Sequence, residues 1–199
     1  MHPHNTEMDL SIAYALYFAA RGNGLAQTSS ETRDTEPYST AARVLLSGLG
    51  ADELFGGYVR HATAFSRTGY PGLIEELKLD VGRLGKRNLG RDDRVMSHWG
   101  REIRFPFLDE ELVKWAVEAP VWEKCDFAVN STEDQDSNAE INGIDPEKRV
   151  LRLLAQQLRM HSVAREKKRA VRSGDGYIQS HPIPLPYFRG ARVTMAANV

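Results

Sequence analysis

One short apolar run, Ala41-Ala42-Arg43-Val44-Leu45-Leu46, constrains this chain more than any other feature, because it stops abruptly at Ser47-Gly48-Leu49-Gly50. The run alone suits a strand or a piece of helix. A glycine-rich turn and a new helical pattern follow it. The order helix, strand, glycine turn, helix is what α/β sheets produce, so the run is expected to be a buried parallel strand. It is the one convincing strand, against five or six segments with helical periodicity. A parallel sheet needs several strands. The expected fold class is therefore α/β, mostly helical in the part present, with the earlier strands preceding residue 1.

The helical segments carry their own punctuation. Thr6 and Asp9 resemble a capping box at the head of a helix that Arg21-Gly22 closes. Between them, Leu10 to Ala19 is apolar nearly all round, which predicts burial on several sides. Residues 27–40 are rich in Ser, Thr, Glu, Asp and Pro and are expected to be a loop or insert. From Pro71 to Leu84 the residues Leu73, Leu77, Val81 and Leu84 share one stripe. Arg91 to Trp99 is expected to be helical, and Asp109 to cap a helix through Ala119, before Pro120. Asp145-Pro146-Glu147 carries an N-cap acceptor, a first-turn proline and an acid, and predicts the start of a helix bearing Val150, Leu151, Leu154 and Leu158. Beyond Ser173 periodicity is lost, and Pro182, Pro184 and Pro186 exclude a regular helix. The expected organisation is one domain over 1–171, inserts at 27–40 and 127–143, and an irregular proline-rich tail over 172–199.

Charge narrows the function classes. The formal net charge is −1, so bulk electrostatics favour neither nucleic acid nor membrane. Locally, Glu123–Glu147 holds eight acids and one lysine, and Lys148–Arg172 holds nine basic residues and one acid. Such runs are expected to be solvated faces. The longest apolar stretch, Ile12–Ala20, falls short of the roughly 20 residues a membrane helix needs. With no signal-like N-terminus and a single cysteine, Cys125, a reducing, cytoplasmic setting is expected.

The stretch Ser47-Gly48-Leu49-Gly50-Ala51-Asp52-Glu53-Leu54-Phe55-Gly56-Gly57-Tyr58 carries the chemistry. Glycines let a backbone approach a ligand, and the N–H groups of a turn entering a helix face an anion such as phosphate. Asp52 and Glu53 sit in the first helical turn, where they hold magnesium or favour the helix dipole. The alternative is a strand-to-helix turn that needs its glycines for packing. His61 and His98 show no ligand-like spacing with cysteine or acids, so no metal site is expected. Cys125 is expected to be a partly buried thiol rather than a nucleophile. Glu102 to Asp109 is expected to serve architecture: an Glu102–Arg104 pair, Phe105 and Phe107 in the core, and Asp109 as a cap.

The Ser47–Tyr58 stretch resembles the Ser-Gly-x-Gly-x-Asp-Glu-x-x-x-Gly-Tyr motif of asparagine synthetases. Thr6-Glu7-Met8-Asp9 through Arg21 is similar to the helix before that motif. Asp80 to Arg94 and Met96-Ser97-His98 look like the family's helical region. Glu102, Arg104 and Pro106-Phe107-Leu108-Asp109 match its Glu-x-Arg-x-Pro-Phe-Leu-Asp motif. Lys148-Arg149-Val150-Leu151-Arg152 matches Lys-x-x-Leu-Arg, and Arg165-Glu166-Lys167 matches an Arg-x-Lys whose lysine meets pyrophosphate. The resemblance covers about residues 4–170 and is nearest to eukaryotic asparagine-synthetase-domain-containing proteins.

This resemblance implies the second half of an adenine-nucleotide α-hydrolase-like domain of the PP-loop type. It implies ATP-dependent amidation, in which aspartate is adenylated and ammonia from glutamine attacks. ATP and Mg2+ are the implied cofactors, ATP and aspartate the implied ligands, and Ser47, Gly48, Gly50, Asp52, Glu53 and Lys167 the implied nucleotide-facing positions. The family's Ser-Gly-Gly-x-Asp-Ser loop does not occur in the sequence, nor does a glutaminase domain with its leading cysteine. Leu49 replaces the glutamate typical of active members, and the segment after Val171 departs from the family pattern. The chain by itself is thus expected to be incomplete as a catalyst. The alternative is a non-catalytic interaction module with a protein partner, or an oligomer, built on the synthetase fold.

Overall fold

The computed structural model describes residues 6–27, 35–128 and 144–168. These residues form two compact units. The first contains the chain up to Leu46 with Arg87–Arg104, and the second contains Ser47–Lys86 with Phe105–Lys168. Helices dominate both, and the strands make two small two-stranded sheets.

In the first unit, α1 (Glu7–Arg21) begins as expected. The Thr6 hydroxyl accepts the Asp9 N–H at 3.1 Å and donates to Asp9 Oδ2 at 2.5 Å, and Gly22 closes the helix in the left-handed conformation. The other Asp9 oxygen takes Arg91 of α4 (Gly90–Ser97) at 2.6 Å, and Arg91 Nε reaches Asp92 at 2.8 Å. A buried guanidinium between two carboxylates thus fixes α4 on α1. The expected all-round burial of α1 is corrected. Ala13, Ala15 and Ala20 are buried, but Met8, Leu10 and Tyr14 are exposed.

Two strands lie where a loop was expected. β1 (Asn23–Gln27) and β2 (Thr35–Ser39) pair antiparallel, from Asn23 opposite Ser39 to Gln27 opposite Thr35. Polar composition hides this ribbon, since backbone pairing needs no apolar face when both strands are exposed. Residues 28–34 of the expected insert lie outside the described residues.

The expected central strand is β3 (Val44–Leu46), three residues rather than six. It does pair parallel, with β4 (Glu102–Arg104), Val44 opposite Glu102 and Leu46 opposite Arg104. Its expected burial is not found: Leu46 is 71% exposed, in a sheet that has only two strands among the described residues. The Glu102–Arg104 pair forms at 2.7 Å, on the surface.

The second unit holds α2 (Ala51–Leu54), α3 (Val59–Leu84), α5 (Glu110–Glu118), α6 (Val121–Lys124), α7 (Arg149–Gln157) and α8 (His161–Arg165). Gly69, at φ 67°, ψ −153°, breaks α3 just before Pro71, where the helix start was expected. Leu73 and Leu77 are buried with Val121, Cys125 and Phe127. Val81 packs instead on a second cluster of Leu54, Phe55 and Ala116, joined by Phe107, Val150 and Leu151. Phe127, the first residue of the expected insert, is thus part of this core, and residues 129–143 of that insert lie outside the described residues. Asp109 caps α5, accepting the N–H groups of Glu111 and Leu112 at 3.1 and 3.2 Å. The buried Lys124 ammonium donates to the Ala116 carbonyl in the last turn of α5, and burial lowers its pKa.

The expected helix start at Asp145-Pro146-Glu147 is also corrected. Asp145 does accept the Glu147 N–H at 3.0 Å, but as a turn, and α7 starts at Arg149. Lys148 intervenes at φ 54°, with its N–H on the Phe55 carbonyl at 3.0 Å. A contact 93 residues distant in sequence (148 − 55) thus overrides a local start signal. The expected tail over 172–199 lies outside the described residues.

Candidate active-site loop and its lysines

The Ser47–Gly50 loop leads into α2, and its backbone donors already have partners. Leu49 N–H reaches Ser47 Oγ at 3.3 Å, Gly50 N–H reaches Glu53 Oε2 at 3.2 Å, and Ala51 N–H reaches the Gly48 carbonyl at 3.3 Å. Gly50 stands at φ 100°, and a Cβ there would lie 2.5 Å from Leu108 Cδ2. The packing explanation for this glycine therefore holds. Gly48 is exposed, Ser47 and Leu49 half-buried, and a Cβ on Gly48 would meet nothing within 4 Å.

The two motif carboxylates have different surroundings. Glu53 is 3% exposed, with one oxygen on Gly50 N–H and the other on the Tyr58 hydroxyl at 2.6 Å. It clamps the loop to the residue that starts α3. Burial, reinforced by the Glu53 carboxylate, pushes the Tyr58 phenol far above its ordinary pKa. Asp52 is partly open to solvent. Its Oδ1 meets Lys148 Nζ at 2.8 Å and its Oδ2 meets Lys168 Nζ at 2.9 Å. Gly57 makes room for it, since a Cβ there would come within 2.0 Å of Asp52 Oδ1.

Both lysines are held from several sides. Lys168 also donates to the Gly57 carbonyl and lies 4.2 Å from the centroid of the Tyr58 ring. The Arg60 guanidinium approaches the same ring at 4.0 Å. Arg152, buried on α7, donates to the carbonyls of Ala164 and Glu166 at 2.8 and 2.9 Å, which fixes the segment carrying Lys168. The Lys148–Arg152 segment thus contributes twice: Lys148 touches Asp52, and Arg152 positions the chain that delivers Lys168. Glu147 stands nearby. Burial first and Asp145 second raise its carboxyl pKa, against the pull of Lys168 and Lys148.

Behind Tyr58 lies a buried polar chain. His61 Nδ1 accepts the Tyr58 N–H at 3.2 Å, so the ring carries its proton on Nε2, which donates to Asp80 at 2.9 Å. Asp80 also binds Arg60 at 2.5 Å, and Arg60 meets Glu76 at 3.2 Å. Burial lowers the His61 pKa although Asp80 pulls the other way, and the accepting Nδ1 agrees with a neutral ring.

The structure places Ser47, Gly48 and Gly50 in the loop and Asp52 and Glu53 on the short helix α2 that follows it, whereas Lys167 is exposed and its neighbour Lys168 makes the contact with Asp52. Lys148, Lys168, Tyr58 and Gly57 were not among the expected nucleotide-facing positions. The signals existed: Lys148 opens the Lys-x-x-Leu-Arg segment, Lys168 sits in the basic run, and Gly57-Tyr58 ends the glycine motif. Cys125 is fully buried beside Gly56, and burial raises its thiol pKa to about 12. Among the described residues, no group of three or more His, Cys, Asp or Glu is arranged to hold a metal ion, and no helix is long and apolar enough to cross a membrane.

A mostly helical chain with a glycine loop, a clamped glutamate and an aspartate held by two lysines defines a class of site built around charge. Its family is established by comparison: the asparagine synthase family profile matches residues 37–75 and 68–183, and the chain belongs to that family. It is 41% identical over 174 residues to asparagine synthetase domain-containing protein 1 of Mus musculus, covering 87% of this chain and 25% of that protein. It is 40% identical over 176 residues to an asparagine synthetase domain-containing protein of Saccharomyces cerevisiae, covering 87% of this chain and 28% of that protein. A glutamine-hydrolysing asparagine synthetase of Sandersonia aurantiaca is 35% identical over 89 residues, 42% of this chain and 16% of that protein. The chain spans about a quarter of the length of the first two relatives. No solved structure matches it.

Proposed function

We propose that this chain forms the phosphate-facing part of an asparagine-synthetase-type domain of the PP-loop kind, working in the cytoplasm with ATP and Mg2+ on aspartate. The observation that carries this is the pair of lysines, from two separate segments, that converge on Asp52. Two ammonium groups beside a partly open carboxylate fit a metal-bound polyphosphate: Lys148 and Lys168 for phosphate oxygens, Asp52 for the magnesium ion. ATP, when bound, would supply the adenylyl group that activates the aspartate carboxylate, with pyrophosphate as the group released. The chain's own residues then do three things. Lys148 and Lys168 balance negative charge, Glu53 holds Gly50 and Tyr58 in register, and Arg152 keeps Lys168 in reach.

Ser47 and Gly48 line the exposed approach to the loop, and the exposed Lys167 is assigned, by the family resemblance, to phosphate groups farther out. Leu49 offers no carboxylate to an incoming ammonia molecule, so in a domain completed by the segment carrying the Ser-Gly-Gly-x-Asp-Ser loop amide formation should be slower by about a hundredfold or more than in a form with glutamate there. Calorimetric titration of the full chain with ATP in excess Mg2+ tests the assignment. Lys168→Met is expected to weaken binding at least about tenfold, the loss of one charge-assisted contact, and Lys167→Met much less. The reverse order would move the phosphate contact to Lys167. No binding by the unaltered chain would remove the nucleotide from the proposal.

A further inference from the structure

Each oxygen of Asp52 takes one ammonium group, Lys148 at 2.8 Å and Lys168 at 2.9 Å, which is the pattern an oxyanion would make with the same two lysines. The fit is built rather than incidental. Gly57 leaves no room for a Cβ beside Asp52, Tyr58 places its ring under Lys168, and Lys148 holds a left-handed backbone to reach in. Glu147 adds a second carboxyl to the surroundings of both lysines. Two positive groups therefore face two acids, and the cluster has little net charge to offer a free anion.

We propose that Asp52 is the resident competitor for its own anion site, so that the two lysines select a cation-accompanied polyphosphate over a free one. The proposal rests on the anion-binding function above. A free oxyanion must detach both lysines from Asp52 and then lie beside a bared carboxylate. An anion that arrives with a divalent cation leaves the carboxylate a new partner, and both lysines are released to the anion without repulsion.

The test is calorimetric titration of the full chain with inorganic pyrophosphate, in chelator and in excess Mg2+. In chelator, Asp52→Asn should bind pyrophosphate roughly tenfold more tightly than the unaltered chain, since each partly exposed ion pair contributes a factor of a few. In Mg2+ the order should narrow or reverse. Asp52→Ser repeats the test with a smaller side chain, and binding seen only in these variants carries the same support. The unaltered chain gives a check that needs no variant: its affinity should rise roughly tenfold or more from chelator to Mg2+. Measurable binding by the unaltered chain that is equal or weaker in both variants in chelator, or unchanged by Mg2+, would overturn the competitor role and leave the anion site standing. No binding by any of the three would overturn both.

Discussion

His61 shows how one fully buried side chain ties the head of α3 to its C-terminal turns. Its two ring nitrogens join the Tyr58 N–H to Asp80, a residue 19 positions on. Because the folded protein keeps the ring neutral, the unfolded chain binds more protons once pH falls below the ordinary value of 6.5. Stability is therefore complete above that pH and declines below it. Urea midpoints should be lower at pH 5 than at pH 7.5, and His61→Leu should flatten that difference. The same variant should cost about 2 kcal/mol at neutral pH, because it strands the Tyr58 N–H and one bond of Asp80. An unchanged slope would mean that another group titrates. Sequence marked His61 only as lacking ligand spacing. Its partners become neighbours through the course of α3, which no local pattern reports.

At the level of elements, legibility followed distance. Thr6, Gly22, Pro71 and Asp109 were readable because a cap or a break acts on groups a few residues away. Replacing Asp109 by Ala should accordingly cost about 1 kcal/mol of stability, seen as a lowered melting temperature with the fold retained. A melting point that does not move would show that the two N–H groups find water at no cost. The β1–β2 ribbon, β4 and the late start of α7 were not readable. Each depends on a partner segment elsewhere: the two ribbon strands on each other's backbone, β4 on β3, and Lys148 on Phe55 and Asp52. The site divides in the same way. The glycine motif lies in one stretch and could be picked out locally, whereas the pairing of Lys168 rather than Lys167 with Asp52 depends on where the chain returns after α8.

At the scale of the whole molecule, several large apolar side chains are exposed among the described residues. Val44 and Leu46 are exposed on the two-stranded parallel sheet of the first unit, and Leu154, Leu158, Met160 and Val163 are exposed on α7 and its successors in the second. Short uncovered strands and apolar helix faces favour association. The purified chain is expected to run above its 22.3 kDa mass in size-exclusion chromatography with light scattering. A monodisperse monomer with a sharp, cooperative melt would contradict this.

Lys148 holds φ 54°, a backbone state that costs a residue with a side chain roughly 1 kcal/mol relative to glycine. At this one position, robustness and usefulness favour different amino acids. Glycine or asparagine would relax the backbone and make a sturdier protein, yet only a long cation reaches Asp52. Screening variants for heat resistance would tend to discard this lysine, and screening for ligand capture would tend to restore it. Its identity in any descendant sequence would thus record which of the two demands had been stronger.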